Sequence, residues 1–187
     1  MITIGEKVAN FTCDAFVGGK IKSISLKDYE GKWVVLLFYP ADFTFVCPTE
    51  LQEAGEFYDE FKKNGAEIMS VSTDTAFAHK AWHDTSEAIG KVQYPMLADP
   101  TGDVCRQFGT YIPREGLSLR ATFIIDPKGV LKAVDMHDNS IGRSTAEILR
   151  KLQASIFVSK HNGLVCPASW HPGDKTLKTT VDQVGKI

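Results

Sequence analysis

Val34-Val-Leu-Leu-Phe38 is apolar without interruption, and Pro40 closes the run. A short apolar stretch bounded this way reads as a strand covered on both faces, in the middle of a parallel or mixed sheet. From Pro48 to Lys63 the pattern changes. Leu51, Ala54, Phe57, Tyr58 and Phe61 recur at threes and fours, which predicts one helix with a buried stripe. Pro48 suits its first turn and Asn64-Gly65 its end. Glu67 to Ser72 follows as a second strand and completes a right-handed β-α-β unit. Thr75 to Ile89 reads as a further helix with Phe77, Ala81 and Trp82 on one side. Asp99 to Phe108 is a turn and a short helix. Ala121 to Asp126 is a strand, Pro127-Lys-Gly129 a turn, and Val130 to Asp135 the hairpin partner. Ser144 to Val158 opens on a capping pair, Ser144 and Glu147, and carries Ile148, Leu149, Leu152 and Ile156 as its stripe. At the front, Asn10 to Val17 and Ile21 to Leu26 flank Gly18-Gly19, a hairpin signal.

The order β-α-β-α-β-β-α on one sheet is the thioredoxin-like pattern: an α/β fold with a mixed sheet flanked by helices, plus an added N-terminal hairpin. Residues 1–160 are read as that domain, and 161–187 as a C-terminal arm. The arm has little periodicity, yet it carries Cys166, Trp170, Leu177 and Val181. Isolated apolar anchors mark a docked segment. Packing on its own domain and crossing to a second subunit both stay open.

Composition narrows the function. The chain has 187 residues, 43% apolar and 24% charged, which fits one ordinary globular domain and opposes a disordered chain. A formal charge of −2 lacks the basic surplus of a nucleic-acid clamp. The longest apolar run, Trp33 to Tyr39, falls short of the roughly 20 residues that cross a bilayer. Met1-Ile-Thr-Ile-Gly-Glu6-Lys7 has no apolar stretch after a basic start, so the cytosol is the expected compartment.

Four cysteines remain: Cys13, Cys47, Cys105 and Cys166. A chain of this size in a reducing compartment needs no disulfide framework. The spacings are wide and no C-x-x-C occurs, which opposes a zinc ribbon. Cys13 shares a strand face with Phe11 and Ala15, and Cys105 lies on a short helix near Phe108. Both are read as packed thiols. Cys47 differs, because it stands between a buried strand and a helix start. Unpaired N–H groups and the positive helix end favour a thiolate there, and the thiolate is the nucleophile. Thr44, three residues earlier, places a hydroxyl beside the sulfur that both donates and accepts. Phe43, Phe45 and Val46 are expected to form a dry collar. Arg120 opens the strand that lies beside Val34 to Phe38, so a permanent cation reaches Cys47. His79 and His83 are one turn apart, which is zinc-ligand spacing, but no further ligand completes a site. They are read as surface histidines, and no metal is expected.

Pro40-x-x-x-Thr44-x-x-Cys47 resembles the active-site motif of the peroxiredoxins. The resemblance extends through Phe38-Tyr-Pro-Ala-Asp-Phe-Thr-Phe-Val-Cys-Pro-Thr-Glu50, Ser72-Thr-Asp-Thr75, His79-Lys-Ala-Trp82-His83, Asp99-Pro-Thr-Gly102, Ala121 to Asp126 and Asp182 to Ile187. It covers essentially the whole chain and is strongest toward typical 2-Cys members, the peroxidase subunits of bacterial alkyl hydroperoxide reductase. The resemblance implies a thiol-dependent peroxidase reducing hydrogen peroxide and alkyl hydroperoxides. Cys47 is implied as the peroxidatic cysteine, which becomes a sulfenic acid. Thr44 and Arg120 are implied to hold thiolate and peroxide, Pro40 to shield the pocket, and Glu50 and Arg143 to position Arg120. Cys166, in Val165-Cys-Pro-Ala168, is implied as the resolving cysteine, giving a Cys47–Cys166 disulfide between two chains. No cofactor or metal is implied. The implied electron donor is a flavin-dependent disulfide reductase or thioredoxin. The implied assembly is a homodimer that builds a decamer, with Phe43 and Phe45 as contacts between dimers. Neither nucleic acid nor membrane is an implied partner.

Two departures stand out. Members prone to over-oxidation carry a Gly-Gly-Leu-Gly loop and a C-terminal Tyr-Phe. Here the loop reads Arg114-Glu-Gly-Leu-Ser-Leu119 and no Tyr or Phe follows Cys166, so resistance to over-oxidation is expected. Asp135-Met-His137-Asp138 has no functional reading.

Overall fold

The structure, a computed structural model, describes residues 2–185. Met1, and Lys186-Ile187 at the end of the Asp182 to Ile187 motif, lie outside the described residues. The chain runs β1 (Thr12–Val17), β2 (Lys20–Ser25), β3 (Trp33–Phe38), α1 (Cys47–Glu56), α2 (Tyr58–Lys63), β4 (Ala66–Ser72), α3 (Ala76–Thr85), β5 (Met96–Ala98) and α4 (Asp103–Phe108). There follow β6 (Tyr111–Ile112), β7 (Leu117–Ser118), β8 (Arg120–Ile125), β9 (Leu131–His137), α5 (Thr145–Lys160), β10 (Leu164–Val165) and β11 (Leu177–Lys178). The chain divides into two compact units between Thr145 and Ala146.

In the first unit, a seven-stranded mixed sheet has the order β2-β1-β5-β4-β3-β8-β9. All six residues of β3 are buried, as its apolar run requires. β3 pairs parallel with β4 and antiparallel with β8, where Phe38 faces Ala121. The thioredoxin-like reading holds, and the N-terminal hairpin joins the sheet through β1 on β5. Gly18 (φ 57°) and Gly19 (φ 75°) both take positive φ, which a two-residue turn matching the strand twist demands. One face of the sheet closes over an aromatic cluster. Phe108 lies 5.1 Å from Phe38, 4.8 Å from Phe123 and 5.9 Å from Phe11, centroid to centroid. Cys13 and Cys105 are part of this core, as expected.

Three expectations are corrected. The single helix from Pro48 to Lys63 is two, α1 and α2, with Phe57 (φ −88°, ψ 0°) as the residue between them. β5 was not anticipated. It has three residues, too few for alternation to register, and its partners β1 and β4 define it. The buried face of α3 is Ala76, His79 and Trp82, while Phe77 is 76% exposed. His79 is fully buried rather than a surface histidine; of the expected stripe Trp82 is buried, while Ala81 is exposed like Phe77.

In the second unit, the arm folds back as the β10–β11 ladder. Trp170 is buried, with its ring 4.9 Å from Phe157 of α5. Arg150 Nη1 donates to the Trp170 carbonyl at 3.0 Å, and Trp170 Nε1 donates to Asp174 O at 3.2 Å. The arm is thus tied to the helix before it. Among the described residues no helix is long and apolar enough to cross a membrane.

Candidate active site

Cys47 is the first residue of α1 and its side chain has no solvent exposure. β3 delivers the chain to this point, and the loop 41–46 turns it into the helix. No side chain caps this helix end, and Pro48 has no N–H to offer a competing bond. The positive helix end is left to the sulfur.

Arg120 supplies the second positive group. Because Phe38 pairs with Ala121, the start of β8 lies at the end of β3 where the loop begins. Arg120 is buried, and its Nη1 donates to Cys47 Sγ at 3.3 Å and to Glu50 Oε2 at 2.7 Å. Its other side is held by Asn139. The Arg120 backbone N–H donates to Asn139 Oδ1 at 3.0 Å, and Nε donates to the Asn139 carbonyl at 2.9 Å.

Glu50, nearly one turn along α1, is shared with Arg143. Arg143 donates to it from the backbone N–H (2.8 Å), Nε (2.8 Å) and Nη2 (3.0 Å). Arg143 Nη1 reaches Ala121 O at 2.7 Å, which fixes this guanidinium to β8 as well. The loop before Arg143 passes close to Val46 at Gly142, where a Cβ would sit 3.3 Å from Val46 Cγ1. The expected Arg120–Glu50–Arg143 grouping is therefore present.

Burial alone would push the Glu50 carboxyl up. The hydrogen bonds and charge of Arg143, then the charge of Arg120, overcome it and hold the carboxyl below its ordinary value. A carboxylate with a depressed folded-state value contributes stability above its unfolded value, near about 4.3, and loses it as pH falls through the folded value. Glu50→Gln should therefore be less stable than the native protein at neutral pH. Removing one partner of a buried pair typically costs about 3–5 kcal/mol. The gap should narrow in acid, as urea unfolding at a series of pH values would show. A gap independent of pH would contradict it.

Thr44 departs from expectation. Its hydroxyl donates to Ala41 O at 2.9 Å, and it has no bond to Cys47 Sγ among the described residues. Pro40 is buried. The dry collar is not formed: Phe45 is 95% and Phe43 61% exposed, since both rings turn outward from the loop. Phe43 also takes a left-handed backbone (φ 54°), which costs a non-glycine residue about 1–2 kcal/mol.

Cys166 lies in the second unit, just after β10 and half-buried. Burial pushes its thiol up, with Arg150 pulling the other way. Cys13 and Cys105 are pushed up to about 12, first by burial and then by Asp99, so they remain protonated. Among the described residues no group of His, Cys, Asp and Glu is arranged to hold a metal ion.

Asn139 escaped the sequence reading, as did a second buried polar group. Tyr39 donates its hydroxyl to Asp42 Oδ1 at 2.7 Å, and Asp42 Oδ2 lies 2.8 Å from His79 Nδ1. Asp42 lies inside the Pro40 to Thr44 motif, and an acid in an apolar loop was the available signal.

A buried thiol at a helix start, braced by a guanidinium on a thioredoxin-like sheet, defines a cysteine enzyme of that fold class. The chain belongs to the AhpC/TSA family, the peroxiredoxins, whose family model matches residues 4–134. Residues 157–186, which include Cys166, match a second model, the C-terminal domain of 1-Cys peroxiredoxin. Alkyl hydroperoxide reductase C of Pseudomonas aeruginosa is 49% identical over 187 residues, all of both chains. The Escherichia coli K12 protein of that name is 48% identical over the same span. The crystal structure of Enterococcus faecalis AhpC matches with a TM-score of 0.87 at 46% identity, covering 89% of this chain and 100% of that one. Reduced Plasmodium vivax 2-Cys peroxiredoxin matches with a TM-score of 0.91 at 33% identity, covering 96% and 94%.

Proposed function

We propose that this protein is a thiol-dependent peroxidase that reduces hydrogen peroxide and alkyl hydroperoxides to water and alcohols. The observation that carries the reading is the contact of Arg120 Nη1 with the buried Cys47 sulfur at 3.3 Å, braced by Glu50 at 2.7 Å. In the first step the Cys47 thiolate attacks one peroxide oxygen and the O–O bond breaks. The leaving oxygen departs with the electron pair and takes a proton as water or alcohol, and the sulfur becomes a sulfenic acid. Arg120 and the Cys47 backbone N–H stabilise the charge that develops on the departing oxygen. The Thr44 hydroxyl donates its hydrogen bond to Ala41 O, so toward a peroxide its oxygen acts as an acceptor. Pro40 keeps water from the pocket.

In the second step Cys166 condenses with the sulfenic acid and releases water. A dithiol donor then restores both thiols with two electrons and two protons. That donor is a flavin-dependent disulfide reductase or thioredoxin. Residues 1–160 carry the peroxide chemistry and 161–187 the resolving arm. The working form is a homodimer that assembles into a decamer in the cytoplasm.

Peroxide consumption with dithiothreitol is the primary test, since a disulfide-exchange protein would instead reduce insulin. Oxidised protein on a non-reducing gel should run at twice the 20.6 kDa chain mass. Cys13→Ser with Cys105→Ser should leave that band intact. A bond formed only within one chain would overturn the resolving arrangement.

A further inference from the structure

We infer that His79 is a positioning residue for the peroxide step, acting through Asp42 to hold the loop that carries Pro40 and Thr44 in its reactive shape. The inference rests on the peroxidase reading of Cys47. His79 and Asp42 have side chains 0% and 1% exposed. His79 Nε2 lies 3.1 Å from the Leu97 carbonyl, which only accepts, so Nε2 carries a proton. The 2.8 Å gap between Nδ1 and Asp42 Oδ2 then requires a second proton, because a bare nitrogen lone pair would face a carboxylate. The other Asp42 oxygen accepts from Tyr39, whose phenol burial keeps protonated.

Asp42 is also held through its backbone, whose N–H donates to Asp74 Oδ2 at 2.9 Å. Ser72 Oγ donates to that same oxygen at 2.7 Å. Three elements thus converge on one loop residue: the end of β3, the turn after β4, and α3. The next residue, Phe43, is left-handed, a shape that persists only where its surroundings over-determine it. Its ring lies 5.9 Å from Trp82, three positions after His79 on α3. One turn of α3 therefore meets consecutive loop residues, Asp42 through His79 and the largely exposed ring of Phe43 through Trp82. Pro40 and Thr44 flank the gripped pair, and Cys47 ends the segment. Nothing in the peroxide chemistry itself uses His79.

Stopped-flow oxidation of reduced His79→Leu, followed through disulfide formation, tests this. Loss of the grip should slow Cys47 oxidation by about 10- to 100-fold, as a small misplacement of reacting groups does. It should also speed the second step, because the loop unwinds more readily, and lower the sulfinic fraction at high peroxide. Asp42→Asn, with His79 intact, is the conservative control. Its amide donates to a neutral His79 and still accepts from Tyr39, so it should retain most of the native oxidation rate. Native rates for both steps in His79→Leu would overturn the inference. Slowing of both steps in His79→Leu, with Asp42→Asn slowed as much, would also overturn it and leave His79 a purely structural residue. If the native protein consumes no peroxide, the peroxidase reading itself fails.

Discussion

Cys47→Ser is expected to reduce peroxide consumption to background, while Cys166→Ser keeps the first oxidation at native speed and then stalls. The two sulfurs differ in surroundings. Cys47 is fully buried at a helix start with a guanidinium at 3.3 Å. Cys166 is half-buried, and burial pushes its thiol up. A serine hydroxyl in place of Cys47 stays protonated at neutral pH and is a poor nucleophile toward an O–O bond. Single-turnover stopped-flow on reduced protein separates the steps, and mass spectrometry of Cys166→Ser should find the sulfenic acid on Cys47. A lost fast phase in Cys166→Ser would reverse the two roles.

Arg120→Met should slow the same step by about 10²–10³-fold, the usual consequence of losing one donor to a developing anion. Methionine has a comparable reach but no N–H. The variant removes the contact to Cys47 and one of the two guanidiniums on Glu50, while Arg143 keeps its bonds to Glu50 and Ala121. The loop around Glu50 should therefore remain folded, which near-UV circular dichroism would verify. An unchanged second-order rate would show that Arg120 does not act on the peroxide.

Much of this was legible in the sequence where a single period governed the pattern. β3 declared itself by an uninterrupted apolar run, and the hairpin by Gly18-Gly19. Arg120 was legible because the strand order sets its strand beside Val34 to Phe38; the register, Phe38 opposite Ala121, comes from the structure. What failed depended on geometry finer than periodicity. A histidine counted as polar hid the true stripe of α3, where His79 is buried because Asp42 and Leu97 O satisfy both its nitrogens. The aromatic loop looked like a lining because apolar side chains are usually inside. Yet Phe43 and Phe45 are exposed, with Phe43 left-handed. Thr44 was correctly placed in the loop, but its proton goes to Ala41 O, a choice no spacing reveals. Asn139 was invisible for a similar reason, since it meets Arg120 across 19 residues of chain.

The bonding around Glu50 also has an arithmetic of charge. Arg120 and Arg143 bring two positive charges into a buried space, and Glu50 returns one negative. The thiolate that the proposed cycle places beside Arg120 would close that balance. In the proposed cycle, oxidation turns that sulfur into a neutral sulfenic acid and leaves one cation without a counter-charge. A buried charge in that condition is strongly destabilising unless the structure opens to water. Consumption of the peroxide thereby discharges the latch that held Cys47 in place. In that proposed cycle the reaction itself would supply the signal to unwind the first turn of α1 and present the sulfur to Cys166.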